Sequence, residues 1–187
     1  MRLPATSPRP AAPLWRRFRR DGRASAAIEF ALIAPLFFAM LFAIFETALM
    51  FFAGQVLETG TQDSARLMLT NQAQNSSMTQ TQFKQDLCNR VSALFKCTDI
   101  VVTVRSYPAG TLIPATDLAD PIANRSFVYN VAYQVPNPGD TVLVRAFYQW
   151  PTFVTGLGYD LSNLGSGADS KRLLAATAAY RVEPNGS

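Results

Sequence analysis

Two carboxylates set in an apolar run, and two thiols nine residues apart, are the residues of this chain whose types and spacing bear on chemistry. Glu29 and Glu46 interrupt AAIEFALIAPLFFAMLFAIFETALMFFA, residues 26 to 53, and no charge occurs between Phe30 and Phe45. An acid near the centre of a membrane-spanning helix costs about 2.5–3.5 kcal/mol, and less toward the interface. Glu29 stands at the inner start of the run. Either it marks the helix's first turn, favoured by the dipole and reaching headgroup water, or it has a task that offsets this cost. Glu46 follows seventeen residues on, on a face roughly 100° away. It lies near the outer interface, where the last turns emerge into water, or it pairs with another subunit. The first reading is preferred.

Cys88 and Cys97 are the two cysteines of the chain. In one unbroken helix, a rise of about 1.5 Å per residue would hold them about 13 Å apart, too far to bond. A bridge therefore requires the helix to end before Cys97 and the chain to turn back; the alternative is a pair of buried thiols. With no histidine in the sequence, two thiols do not make a zinc site.

Little else suggests catalysis. The absence of histidine removes the commonest general base. No Gly-rich phosphate loop follows a strand, and no G-x-S-x-G nucleophile motif occurs. The acids beyond the apolar run are scattered singly in turns, where solvation is their ordinary role. The expectation is a protein that is not an enzyme, with no cofactor, no metal and no small-molecule substrate.

The elements that position these residues begin with the apolar run itself. About 20 apolar residues span a bilayer core of about 30 Å. Seven arginines precede it (Arg2, Arg9, Arg16, Arg17, Arg19, Arg20 and Arg23) against the single acid Asp21, and basic residues stay on the cytoplasmic side. The chain is expected to cross a membrane once, with its arginine tail inside and everything after Gly54 in an extracytoplasmic compartment. That compartment permits disulfides, which makes a Cys88–Cys97 bridge the favoured reading. From Gln55 onward ten basic residues balance ten acidic ones. The net charge of +4 is thus a topology signal, and nucleic-acid binding, which needs a basic face on the folded domain, is not expected.

Four segments follow. Residues 1–24 form a proline- and arginine-rich cytoplasmic leader, expected to be disordered, and residues 25–54 a transmembrane helix in which Pro35 predicts a kink or loosened turn. Over residues 55–71 Val56, Leu57, Gly60, Ser64, Ala65, Leu67 and Met68 recur at three- and four-residue steps, extending the same helix amphipathically to about Thr70. Residues 72–187 form an α+β domain on the outer side. In it Asn71–Thr81 reads as a polar connector, and Phe83, Leu87, Val91, Leu94 and Phe95 as a short amphipathic helix. Four runs then alternate with period two: Ile100 to Arg105, Phe127 to Val135, Val142 to Trp150, and Leu174 to Val182. They predict an antiparallel sheet with one buried face packed on the long helix, with Asn137-Pro138-Gly139-Asp140 as a turn. Thr152 to Ser170 is a Gly/Ser-rich loop long enough to be mobile or functional.

A basic segment followed by a small residue and S-A-A-I-E-F-A-L-I-A-P-L resembles the processing and membrane region of type IV pilin-like proteins, above all the TadE-like minor pilins (pseudopilins) of tight-adherence (Tad/Flp) pilus systems. The cysteine pair ahead of IVVTVR, the run AFYQWP and the closing LLAATAAYRVEP occur in the expected order, so the resemblance extends from Arg16 to about Glu183. It implies a pilin-like fold and a role in initiating or assisting assembly of an adhesive pilus. The implied partners are the membrane, other pilin and pseudopilin subunits, a prepilin peptidase and the inner-membrane assembly platform. In such prepilins the peptidase cuts on the cytoplasmic side, usually after glycine, leaving glutamate at the fifth mature position. Counting back from Glu29, cleavage falls between Ala24 and Ser25; cleavage after Gly22, before Arg23, would place Glu29 at the seventh. The resemblance gives Glu29 the task of meeting a neighbouring subunit's new N-terminal ammonium. The alternative is an unprocessed, membrane-anchored periplasmic scaffold or binding module.

Overall fold

The computed structural model describes residues 23–154 and 159–184, and the chain divides into two units, Met1–Phe42 and Ala43–Ser187. The leader expected at residues 1–24, with the less favoured cut site at Gly22, lies outside the described residues except for Arg23 and Ala24.

Helix α1 is Arg23–Leu69. In the first unit it exposes Phe30, Leu32, Ile33, Leu36 and Phe37, the side chains that an aqueous fold buries. Pro35 is helical, though its ring nitrogen has no proton for the carbonyl of Ala31. The span Ala26–Leu69 contains a stretch of mean hydropathy 2.4, none of it buried, and is long and apolar enough to cross a membrane.

In the second unit α1 turns one face inward. Met50, Ala53, Leu57, Ala65 and Met68 are buried at the spacing of successive turns, together with Thr61 and Ser64. The Thr61 hydroxyl donates to the carbonyl of Leu57 at 2.7 Å, and that of Ser64 to Asp86 at 2.8 Å. The connector holds one short helical turn, α2 (Gln72–Asn75). Helix α3 (Gln80–Val91) starts on a reciprocal cap, in which the Thr79 side chain and the Gln82 side chain each accept the other's backbone amide. It buries Phe83, Leu87, Cys88 and Val91, and Val91 and Leu87 lie against Gly60 of α1. Because α3 ends at Val91, the chain turns back and Cys97 meets Cys88 with a Cα–Cα separation of 5.5 Å, closing the disulfide.

Three strands form one antiparallel sheet in the order β1–β4–β5: β1 (Val101–Tyr107), β4 (Thr141–Pro151) and β5 (Lys171–Arg181). Val104 pairs with Val144, and Val144 with Ala178. Val102, Val104, Val142, Val144, Ala146, Ala176, Ala178 and Val182 fill the core shared with α1 and α3. Phe95 closes one end, edge-on to Tyr148 and Trp150. An exposed strand edge invites pairing with other chains. Here the amide of Thr177 donates to Glu58 of α1 at 3.2 Å, and that of Leu173 to the Asn163 side chain at 2.8 Å.

Two expectations are corrected. Phe127 to Val135 is not a strand. A two-residue ladder, β2 (Ile122–Ala123) with β3 (Ser126–Phe127), is followed by irregular chain. That chain meets β1 around Val104, whose amide donates to the carbonyl of Ala132 and whose carbonyl accepts from the amide of Gln134, while the Thr103 hydroxyl donates to Ala132 and the Ser106 amide to the Gln134 side chain. Tyr129 packs against Phe147, whereas Tyr133 packs beside Phe83 and donates to the carbonyl of Met78 at 2.7 Å. These two tyrosines have the same parity yet serve two different cores, so the segment cannot run as one regular strand. Nor is only one sheet face buried. Phe147, Leu164 and Leu173 form a second apolar cluster with Val101, Ile122, Phe127 and Tyr129.

Candidate functional site

The residues that the sequence assigns to processing lie at the start of α1, whose first residues are Arg23, Ala24 and Ser25. Glu29 is exposed on the helix, one turn beyond Ser25.

Glu46 differs from its expectation. It is 8% exposed and does not emerge into water. Its Oε1 accepts the amide of Phe153 at 2.6 Å, and its Oε2 that of Val154 at 2.8 Å. Beside it on α1, the Tyr159 hydroxyl donates to the carbonyl of Ala43 at 3.2 Å and contacts Thr47 Oγ1. Phe153, Val154 and Tyr159 of the Thr152–Ser170 loop are thus fastened to one stretch of helix. A buried carboxylate needs such donors, since an ionised group without them carries a large desolvation penalty.

The second charged cluster lies on the outer face of the sheet, around a cavity of about 230 Å³ lined by Arg105, Asp117, Asp120, Tyr129 and Arg145 among others. Arg145 is 4% exposed. Its Nε donates to Thr177 at 3.1 Å, its Nη1 to the carbonyls of Asp117 and Ala119 at 2.8 Å each, and its Nη2 to Asp120 at 3.3 Å. The guanidinium also lies 4.8 Å from the centre of the Phe147 ring. Arg105 bonds Asp117 at 2.7 Å, and the Tyr107 hydroxyl donates to the same carboxylate at 2.5 Å. Burial first, and that hydrogen bond second, push the Tyr107 phenol up to about 12. It therefore stays protonated near neutrality and is not poised for acid–base work. Both arginines are matched by carboxylates or carbonyls of the protein, so the cluster pins the segment around helix α4 (Ala115–Leu118) onto the sheet. Among the described residues no group of three or more His, Cys, Asp or Glu could hold a metal ion.

Sequence reasoning did not foresee either polar anchor. Arg145 had a signal: it stands between Leu143 and Phe147 on the face of β4 opposite the main core, and two large apolar side chains there imply a second buried surface. Glu46 had one too, because apolar residues continue past it to Phe52.

Residues 24–66 match the family model of TadE-like proteins, the family that the N-terminal motif resembles. The match covers the part of α1 that carries Glu29 and Glu46 and stops short of the sheet. No curated protein and no solved structure matches the chain.

Proposed function

From the TadE-like match we propose that this protein is a minor pilin, or pseudopilin, that initiates or assists assembly of a Tad/Flp-type adhesive pilus. The observation that carries this reading is the coincidence of the matched residues, 24–66, with a helix that bears a carboxylate at the inner start of an apolar surface. Family likeness and the lack of a poised catalytic group in the described clusters both favour a structural part over an enzyme.

In this reading α1 crosses the inner membrane with the arginine tail in the cytoplasm and the sheet domain outside, where the Cys88–Cys97 disulfide suits an oxidising compartment. A prepilin peptidase cuts between Ala24 and Ser25. The cut removes the arginine anchor and creates an ammonium. In low dielectric that ammonium on one subunit and the Glu29 carboxylate of its neighbour offset each other's desolvation, and the apolar helices associate in a defined axial register. The short-helix form of bulk Flp-type subunits has no place for a folded domain of this size, so a priming or tip role suits the chain better.

N-terminal sequencing of the protein from its native membranes tests this directly: the expected first residue is Ser25. Glu29→Ala should leave membrane insertion intact and abolish incorporation into the pilus or its initiating complex. A protein that still begins at Met1 while fibres form normally would overturn the proposal and leave the anchored periplasmic scaffold.

A further inference from the structure

Glu46 does not stand beyond the apolar part of α1. Exposed apolar side chains flank it on both sides, Ile44 and Phe45 before and Leu49, Phe51 and Phe52 after. A carboxylate at that level would face hydrocarbon or the glycerol region of a bilayer. The fold covers it with backbone: the amides of Phe153 and Val154 bond its two oxygens at 2.6 and 2.8 Å. The covering segment is itself irregular chain, which is tolerated at membrane depth only where its polar groups are satisfied within the protein. Three groups that would each be costly in that environment are therefore paired with one another.

The same bonds decide where the next side chain goes. With its amide directed at Glu46, Phe153 is 81% exposed, the most exposed phenylalanine of the described residues. Its backbone is held at the stretch of α1 that exposes Phe45 and Leu49. Tyr159 sits close by with its hydroxyl engaged at Ala43, the arrangement of an amphipathic ring at a membrane interface. An exposed apolar ring fixed by a buried carboxylate to a membrane-crossing helix fits one partner, the acyl and glycerol region of a phospholipid leaflet.

We infer that the Thr152–Val154 segment is a second membrane contact of this protein, with Phe153 entering the outer leaflet of the bilayer that α1 crosses and Glu46 holding it there. The inference rests on the proposal that α1 spans the membrane. The lipid contact is apolar and makes no demand on headgroup chemistry. Its consequence is that the periplasmic domain is attached to the leaflet at a point separate from the helix.

The test uses the full chain in phosphatidylcholine–phosphatidylglycerol vesicles, with the Cys88–Cys97 disulfide intact and a single added thiol carrying an environment-sensitive fluorophore. The thiol is placed by Phe153→Cys, by Leu112→Cys, whose parent side chain is 89% exposed, or by Phe37→Cys in the apolar run. Nitroxides are carried on the lipid chains near either the carbonyl or the methyl end. Label at 153 should be quenched several-fold more by the shallow nitroxide than by the deep one, label at 112 by neither, and label at 37 by the deep one. Adding Glu46→Leu should abolish quenching at 153 and leave 37 unchanged. Quenching at 37 with none at 153 would overturn this inference and leave the spanning reading intact. No quenching at 37 would sink the spanning reading itself. A thiol at 153 that is shielded from lipid and cross-links to the same position of another copy would assign the ring to a subunit contact and equally overturn the inference.

Discussion

Val91 of α3 occupies the space that a side chain at Gly60 of α1 would need: a Cβ built there would lie 2.5 Å from Val91 Cγ1 and 3.3 Å from Leu87 Cδ1. Val91 is β-branched and sits in a helix, so its χ1 has little freedom to yield. Gly60→Val should therefore destabilise the domain by about 1–3 kcal/mol, the usual cost of overpacking. Thermal unfolding of the full chain in detergent checks it. A variant as stable as the parent would show that α3 can move aside at no cost.

The disulfide closes a loop whose ends are nine residues apart. On the chain-entropy account a loop of that length contributes about 2–3 kcal/mol. Cys88→Ser with Cys97→Ser should lower stability by that amount, and a reductant should lower the parent equally while leaving the double variant unchanged. A parent indifferent to reductant would count against a formed bridge.

Arg145 gathers four protein acceptors from β5 and from the segment between Asp117 and Asp120. Arg145→Met keeps the apolar stem but leaves two carbonyls without their donor, for an expected loss of about 2–3 kcal/mol. Arg145→Lys keeps the charge and should still lose most of it, since an ammonium cannot reproduce the fork. Limited proteolysis should show cleavage near residues 114–121 rising before global unfolding. An Arg145→Met variant that is fully protected there would refute the anchoring role.

Two groups predict the pH response. The amide of Asn137, then the hydroxyl of Ser106, hold the Asp140 carboxyl below its ordinary range. A depressed carboxylate stabilises above the unfolded value of about 3.9 and loses that effect as pH falls through the lower folded value. Tyr107, pushed up to about 12, behaves oppositely. Its contribution is complete below the unfolded value of about 10 and is lost as pH rises through the folded one. Stability measured against pH should show the acid-side loss in the parent and less of it in Asp140→Asn. The alkaline loss should be weaker in Tyr107→Phe. Identical profiles for parent and variants would remove both assignments.

The local pattern of residues determined most of the framework. A run without charge between Phe30 and Phe45 makes a helix surface that water does not suit, whatever folds after it. The three- and four-residue recurrence from Val56 to Met68, and the period of two in Val142–Trp150 and Leu174–Val182, name a helix face and two strand faces because each element has one repeat. The turn at Asn137–Asp140 is legible from its residue types, its Gly139 taking a φ of 86°. Long-range choice was not legible. Tyr129 and Tyr133 share a parity that promises a common face, and only the competition between two cores sends one to Phe147 and the other to Phe83. Glu46 reads as a charge near the outer interface until chain more than a hundred residues later brings two amides to it. Periodicity is a property of neighbours along the chain, whereas the partner of a buried charge is chosen by which distant backbone arrives with free donors, and that is decided only when the chain has folded.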